Sequence, residues 1–179
     1  VKENVKRAVE AGFTAMKLKV GSADSTRDVR RAYLVREAAG PQATVMDDVL
    51  AHQTLARAVA PIKVAAGEHV PNRVLFKNFV QAGALGFVQV DCTRVGGISE
   101  FITVSLLARK FGLPVVPHVG DMGQIHQHLV LFNHIAMGHP IIFLEHIPHL
   151  RKQFLHPAVV ANGVYQTPQE PGSSADLVD

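Results

Sequence analysis

The feature that most constrains this chain is a rhythm. Short apolar runs alternate with helix-like stretches, and each run ends at or near a titratable residue. "FTAMKLKV" (13–20) carries Lys17 and Lys19, "ATVMD" (43–47) ends at Asp47, and "IKVAAGE" (62–68) ends at Glu68. "LGFVQVD" (85–91) ends at Asp91, "LPVVPH" (113–118) at His118, and "IIFLEH" (141–146) holds Glu145. Runs that are apolar throughout are buried on both faces, the mark of a parallel sheet covered by helices.

The stretches between supply those helices. Residues 2–11 predict a helix that Gly12 stops. Ser25 and Asp28 have capping-box spacing and open a helix to Ala39, which "GP" at 40–41 ends. Residues 49–60 are helix-like up to Pro61, Asn72 caps a helix to Ala84, Ser99 opens one to Phe111, and 122–137 form another. The tail from His156 is rich in Pro, Gly and Ser and predicts loop, so the expected division is 1–155 and a tail at 156–179. No glycine-rich phosphate fingerprint follows any strand, since "DCTRVGG" lacks the spacing. An α/β barrel of parallel strands with outer helices, or part of one, is therefore the stronger choice over a nucleotide-binding sheet. In such a barrel the active site lies at the carboxyl ends of the strands.

Composition narrows the function classes. With 47% hydrophobic and 18% charged residues the 179-residue chain is globular and long enough for a sizeable core. A net charge of +3 and no Lys/Arg-rich block predict no nucleic-acid partner. No apolar run reaches about 18 residues, so no transmembrane helix or membrane partner is expected. A single cysteine, Cys92, forms no internal disulfide and favours a reducing, cytoplasmic setting. The chain opens on Val inside an apparent helix, which predicts a fragment of something longer.

The strand-end residues form a chemically specific set. Asp47 and Glu68 are hard oxygen ligands suited to Mg²⁺. A cation there takes up a substrate carboxylate and stabilises the charge formed when the neighbouring carbon loses its proton. Lys19 is the candidate base. Lys17 lies two residues away on the same strand face, and its ammonium disfavours a second charge. His118 is a candidate acid or base from the other side, with Asp91 fixing its tautomer. Glu145, if protonated, hydrogen-bonds the substrate carboxylate opposite the metal.

"KLKV", "MD", "AAGEH", "QVDCTRVGGISE", "PHVG" and "FLEH" resemble the enolase superfamily in its mandelate-racemase-like branch, and most closely the L-fuconate dehydratases and similar sugar-acid dehydratases. "GEHVPNRVLFK", "KFGLPVVPH" and the tail "YQTPQEPGSS" strengthen the likeness, which covers almost the whole chain. It implies Mg²⁺-dependent abstraction of the proton next to a sugar-acid carboxylate and loss of the adjacent hydroxyl as water. It makes Lys19 and His118 the proton-transfer residues, Lys17 and Glu145 substrate contacts, Asp91 the partner of His118, and Asp47 and Glu68 two metal ligands. A racemase of the same branch needs the same Lys and His. A homo-oligomer is a possible state.

The chain departs from that pattern. The family's third metal carboxylate sits in an "EEP"-like segment that is missing here. Asp47 runs straight into "DVLAHQTLARAVAP", which resembles the helix after the missing strand. About one βα unit of roughly 30 residues is expected to be absent at the Asp47–Asp48 join. Either aspartate could be the family ligand, with Asp47 preferred. The first barrel strand and the N-terminal capping domain are missing too, so the expected fold is a partial barrel short of about two strands. An impaired chain with an interaction role is the competing expectation.

Other residues carry plainer expectations. His126 and His128 are two apart, share no helical face, and with His134 predict packing or solvation rather than metal binding. Cys92 predicts a buried or loop thiol. His69 and Asn72 stand open between substrate contact and helix capping. Arg94 is open between pairing with a carboxylate and surface solvation. His146 and His149 predict structural roles.

Overall fold

The structure, a computed structural model, describes all residues except 20–24, 41–43, 49–55, 58–59, 120–123 and 170, and the side chains of residues 19, 25, 44–48 and 148–150 also lie outside the described set. The expected rhythm is present. Helix α1 (Lys2–Glu10) leads to strand β1 (Ala15–Lys19), α2 (Ser25–Ala39), β2 (Thr44–Asp48) and β3 (Lys63–Ala66). Then come α3 (Arg73–Gln81), β4 (Phe87–Val88), α4 (Ile98–Lys110) and α5 (Ile125–Met137). The four strands form one sheet in the order β1-β2-β3-β4, every pair parallel. The helix expected over 49–60 falls largely outside the described residues, as does the capping side chain of Ser25.

The expected strand at 113–118 is reduced to one bridge, Val88 with Val115. Its backbone still runs alongside β4: Val116 N–H donates to the Val88 carbonyl at 3.0 Å, and His118 N–H to that of Val90 at 3.2 Å. The run at 141–146 has no strand ladder among the described residues. A cavity of about 860 Å³ opens between it and β1, lined by Met16, Lys17 and Leu18 on one side and Ile142 to His146 on the other. Among the described residues no strand lies within that gap for the segment to pair with.

Strand side chains alternate between faces, and that alternation builds both core and site. Met16, Leu18, Ile62 and Val64 point outward and pack with Val5 of α1 and Ala32 and Val35 of α2. Val88, Val90 and Val115 point outward against Phe76 of α3 and Phe101 and Val104 of α4. Phe76 and Phe101 are both fully buried. The opposite face carries Ala65, Phe87 and Val116, with Ala15, Ile141 and Phe143 packed against them. One layer nearer the strand ends, the same face carries Lys17, Gln89, His118 and Glu145. An apolar floor thus lies beneath a polar layer.

The tail differs from the expected loop. Val160–Ala161 (β5) and Val164–Tyr165 (β6) form an antiparallel hairpin. Its turn is Asn162-Gly163, both at positive φ (52° and 74°), the residue pair such a two-residue turn favours. A Cβ on Gly163 would collide with the Gly12 carbonyl oxygen, so the hairpin seats directly on the turn after α1. Tyr165 then reaches the strand-end region, its hydroxyl donating to the Glu145 carbonyl at 2.8 Å. Beyond the hairpin, the Gln124 and Leu155 amides donate to the carbonyls of Ser173 and Asp176. No helix among the described residues is long and apolar enough to cross a membrane.

Candidate active site at the strand ends

Five of the expected site residues meet. Lys17 comes from the end of β1, where residues 15 and 17 share the inner face. Its Nζ lies 2.9 Å from Glu145 Oε1 and 3.3 Å from Glu68 Oε2. Glu68 follows β3 through Gly67, whose φ of 137° is glycine territory and whose Cβ would strike the Phe76 ring at 2.6 Å. That turn aims the Glu68 carboxylate inward. His118 Nε2 lies 3.1 Å from Glu68 Oε2 and 3.6 Å from Glu145 Oε2, so this nitrogen faces the centre of the cluster.

Asp91 stands behind His118. Its Oδ2 is 2.8 Å from His118 Nδ1 and 3.3 Å from Arg94 Nε. Its Oδ1 accepts from the Thr93 amide at 2.8 Å and the Thr93 hydroxyl at 2.7 Å. Burial works against charge on this carboxyl, but the hydrogen bonds from His118 and Thr93 outweigh it. They hold it far below the ordinary carboxylate range. A carboxylate so held fixes the proton of His118 on Nδ1 and leaves Nε2 for chemistry. Cys92, next in the chain, is buried, and burial and the Asp91 charge push its thiol up, away from a reactive thiolate.

Arg94 resolves toward pairing. Besides Asp91 it donates from Nη1 to the Glu68 carbonyl at 3.3 Å, and the same nitrogen lies 3.2 Å from His69 Nδ1. It joins the loops that follow β3 and β4. Asn72 caps α3, its Oδ1 accepting from the amides of Val74 and Leu75, each at 3.1 Å. The side chains of Lys19 and Asp47 lie outside the described residues. Their backbones are placed: Leu18 stands beside Asp47, Lys19 beside Asp48, and Asp47 beside Val64 of the strand that leads to Glu68. His146 stacks on Phe13 at 5.2 Å and meets the Tyr165 ring edge-on, a packing role.

Two residues of the site escape the sequence pattern. Gln89 is a lone amide in an apolar strand, two residues before Asp91 and so on its face. Its Nε2 approaches Glu145 Oε2 at 3.4 Å, and its Oε1, buried, has no hydrogen-bond partner among the described residues. An amide interrupting "FVQV" was the available signal. Val119 follows His118 at φ 46°, a conformation that costs a β-branched residue about 1–3 kcal/mol. Its amide donates to Glu145 Oε2 at 3.3 Å, so the bend ties His118 to the last strand-end acid.

Donor atoms of Glu68, His118 and Glu145 lie within 4.8 Å of one another. Two carboxylates among these donors fit a divalent cation in ligand chemistry, and the carboxylates favour a hard ion such as Mg²⁺.

Comparison with known proteins names the family of this parallel α/β scaffold with a lysine, paired carboxylates and a carboxylate-backed histidine gathered on one face. The family described as Enolase C-terminal domain-like matches residues 1–50 and 44–179, so the chain belongs to the enolase superfamily through this domain. It is 32% identical over 216 residues to the human mitochondrial enolase superfamily member 1, covering 99% of this chain and 48% of that protein. The crystal structure of that human protein superposes with a TM-score of 0.80 at 30% identity, over 99% of this chain and 49% of that one. An L-galactonate dehydratase of Hypocrea jecorina is 40% identical over 138 residues, 75% of this chain and 31% of the relative. A racemase from Streptomyces coelicolor A3(2) with bound magnesium superposes with a TM-score of 0.70 at 25% identity, over 98% of this chain and 56% of that one. The chain thus spans about half the length of the human relative. The family match comes in two pieces that meet at 44–50, the stretch holding Asp47 and Asp48. The alignment with the human relative runs over 216 positions, more than the 179 residues of this chain, so it contains gaps opposite the chain.

Proposed function

We propose that this chain carries the site of a Mg²⁺-dependent dehydratase that converts a sugar acid, L-fuconate-like in configuration, to its 2-keto-3-deoxy product. The observation that carries the reading is the convergence of Lys17, Glu68, His118 and Glu145, with Asp91 hydrogen-bonded behind the histidine. The scaffold is read as a partial (β/α) TIM-type barrel, 1–155, with its tail at 156–179. Asp47 and Glu68 are the residues assigned to Mg²⁺. When bound, the ion supplies positive charge to the substrate carboxylate as the adjacent carbon is deprotonated.

The remaining chemistry belongs to side chains. Lys19 takes the proton from the carbon next to the carboxylate, breaking that C–H bond. His118 Nε2 gives a proton to the hydroxyl of the following carbon, so that the C–O bond breaks and water leaves. Asp91 keeps the ring oriented and stabilises its charge while it holds two protons. Lys17 pairs with the substrate carboxylate, Glu145 binds it from the opposite side, and Asn72, whose Oδ1 caps α3, offers its Nδ2 to the sugar chain. The enol left behind becomes the 2-keto acid. A cytoplasmic setting, small-molecule substrates and a possible homo-oligomer complete the reading.

The test is direct. The purified chain with Mg²⁺ and a panel of sugar acids is expected to yield a 2-keto-3-deoxy acid, and His118→Asn to abolish it. No product from any panel member, with a folded chain, overturns the assignment.

A second reading has its own observation. The two-piece family match, which meets at 44–50, supports a barrel lacking a metal-ligand unit, hence a chain impaired in catalysis. On that reading calorimetry finds no saturable Mg²⁺ binding. Tight, stoichiometric binding counts against it.

A further inference from the structure

His126 lies on α5, outside the strand-end set, yet its ring is 1% exposed and packs against Phe101 with centroids 6.4 Å apart. Each ring nitrogen has one close backbone partner, and Nε2 also lies 3.4 Å from Asp91 Oδ1, farther than the Cys92 amide. The Cys92 amide lies 2.9 Å from Nε2, and the Val119 carbonyl oxygen lies 2.9 Å from Nδ1. An amide can only donate and a carbonyl can only accept. The pair therefore fixes a neutral ring with its proton on Nδ1 and a lone pair on Nε2. The other tautomer would aim a proton at the Cys92 N–H and leave the Val119 carbonyl facing a lone pair.

The two backbone partners have a particular place in the chain. Cys92 directly follows Asp91, and Val119 directly follows His118. Val119 is also the residue held at φ 46°. We propose that His126 is a positioning residue: a neutral imidazole clip that joins the residue after Asp91 to the residue after His118. The clip holds the Val119 bend and keeps the 2.8 Å contact between Asp91 Oδ2 and His118 Nδ1 in register. His126 touches no substrate and acts only through these two neighbours. The bearing of the clip on catalysis rests on the dehydratase reading. The clip itself does not.

The experiment reads hydrogen bonds rather than turnover, so an inactive chain leaves it intact. Nitrogen-15 NMR of the histidine rings in the full chain is expected to show His126 as the Nδ1–H tautomer. His126→Phe keeps a ring of similar bulk and removes both bonds. It is expected to speed exchange of the Cys92 amide about tenfold, the loss of one net hydrogen bond. It is also expected to broaden or abolish the low-field proton signal of His118 Nδ1 against Asp91. His126→Gln, which returns an acceptor toward Cys92, is expected to restore part of the amide protection. An Nε2–H tautomer in the unmodified chain overturns the proposal, and so does a folded His126→Phe chain whose His118 signal is unchanged. Should His126→Phe fail to fold, the tautomer decides alone.

Discussion

Asp91 gathers most of the electrostatic order of the site. It is 1% exposed and its two oxygens take contacts from His118, Arg94 and Thr93. Asp91→Asn keeps the shape but puts an amide where His118 and Arg94 need an acceptor charge. The expected loss is about 10²–10⁴-fold in turnover, read by product formation. The expected loss of stability is about 3 kcal/mol, read by urea unfolding. Its folded-state carboxyl lies below the ordinary value of 3.8, so its contribution is fully present above that value. The contribution is lost only as pH falls further toward the folded value. At this scale much of the site was legible. Lys17, Glu68, Asp91, His118 and Glu145 each stand at or near the end of an apolar run, and their position follows from that pattern. Gln89 and His126 were not legible, because their roles depend on which backbone or side chain a neighbouring element brings alongside. Arg94 and Asn72 stood open for the same reason, and the structure gives the first a carboxylate and the second a helix cap.

Among the elements, α4 and α5 meet through polar contacts that no periodicity announces. Asn133 donates to the Ser105 hydroxyl at 3.1 Å, His139 Nε2 lies 3.2 Å from the Ser105 carbonyl, and His134 Nδ1 lies 2.8 Å from the His139 carbonyl. Burial holds the His139 ring below its ordinary value of 6.5, with Arg109 adding to the effect against the Ser105 hydrogen bond. The folded chain therefore prefers it neutral. Its stabilisation is present above the ordinary value and is lost as pH falls through the lower folded one. The thermal midpoint is expected to fall between about pH 7 and about pH 5 by more in the parent than in His139→Gln. The hairpin gives a second test. Gly163→Ala puts a Cβ against the Gly12 carbonyl at positive φ and is expected to cost about 1–3 kcal/mol in chemical unfolding. The Asn-Gly pair was present in the sequence, but a loop-rich composition hid it. The reduced strand at 113–118 and the unladdered run at 141–146 kept their apolar patterns, since hydrophobic content records burial and not pairing.

At the scale of the whole molecule, the cavity of about 860 Å³ lies on the edge of β1 away from β2, apart from the join at 44–50, where β2 and β3 pair directly. A sheet with an unpaired neighbour and a large apolar gap is expected to bind a hydrophobic dye in its folded state. Inserting a βα unit carrying a metal-ligand glutamate between Asp47 and Asp48 is expected to tighten Mg²⁺ binding, read by calorimetry. Unchanged affinity in a folded insertion chain would count against the seam. The central claim is that the strand-end cluster removes a proton next to a carboxylate. The most direct measurement is NMR of sugar acids incubated with the chain and Mg²⁺ in D₂O. The account predicts deuterium entering at the carbon beside the carboxylate, or a deuterated 2-keto-3-deoxy acid, and neither with Glu68→Gln. A folded chain that leaves every C–H bond of the panel unexchanged would contradict it.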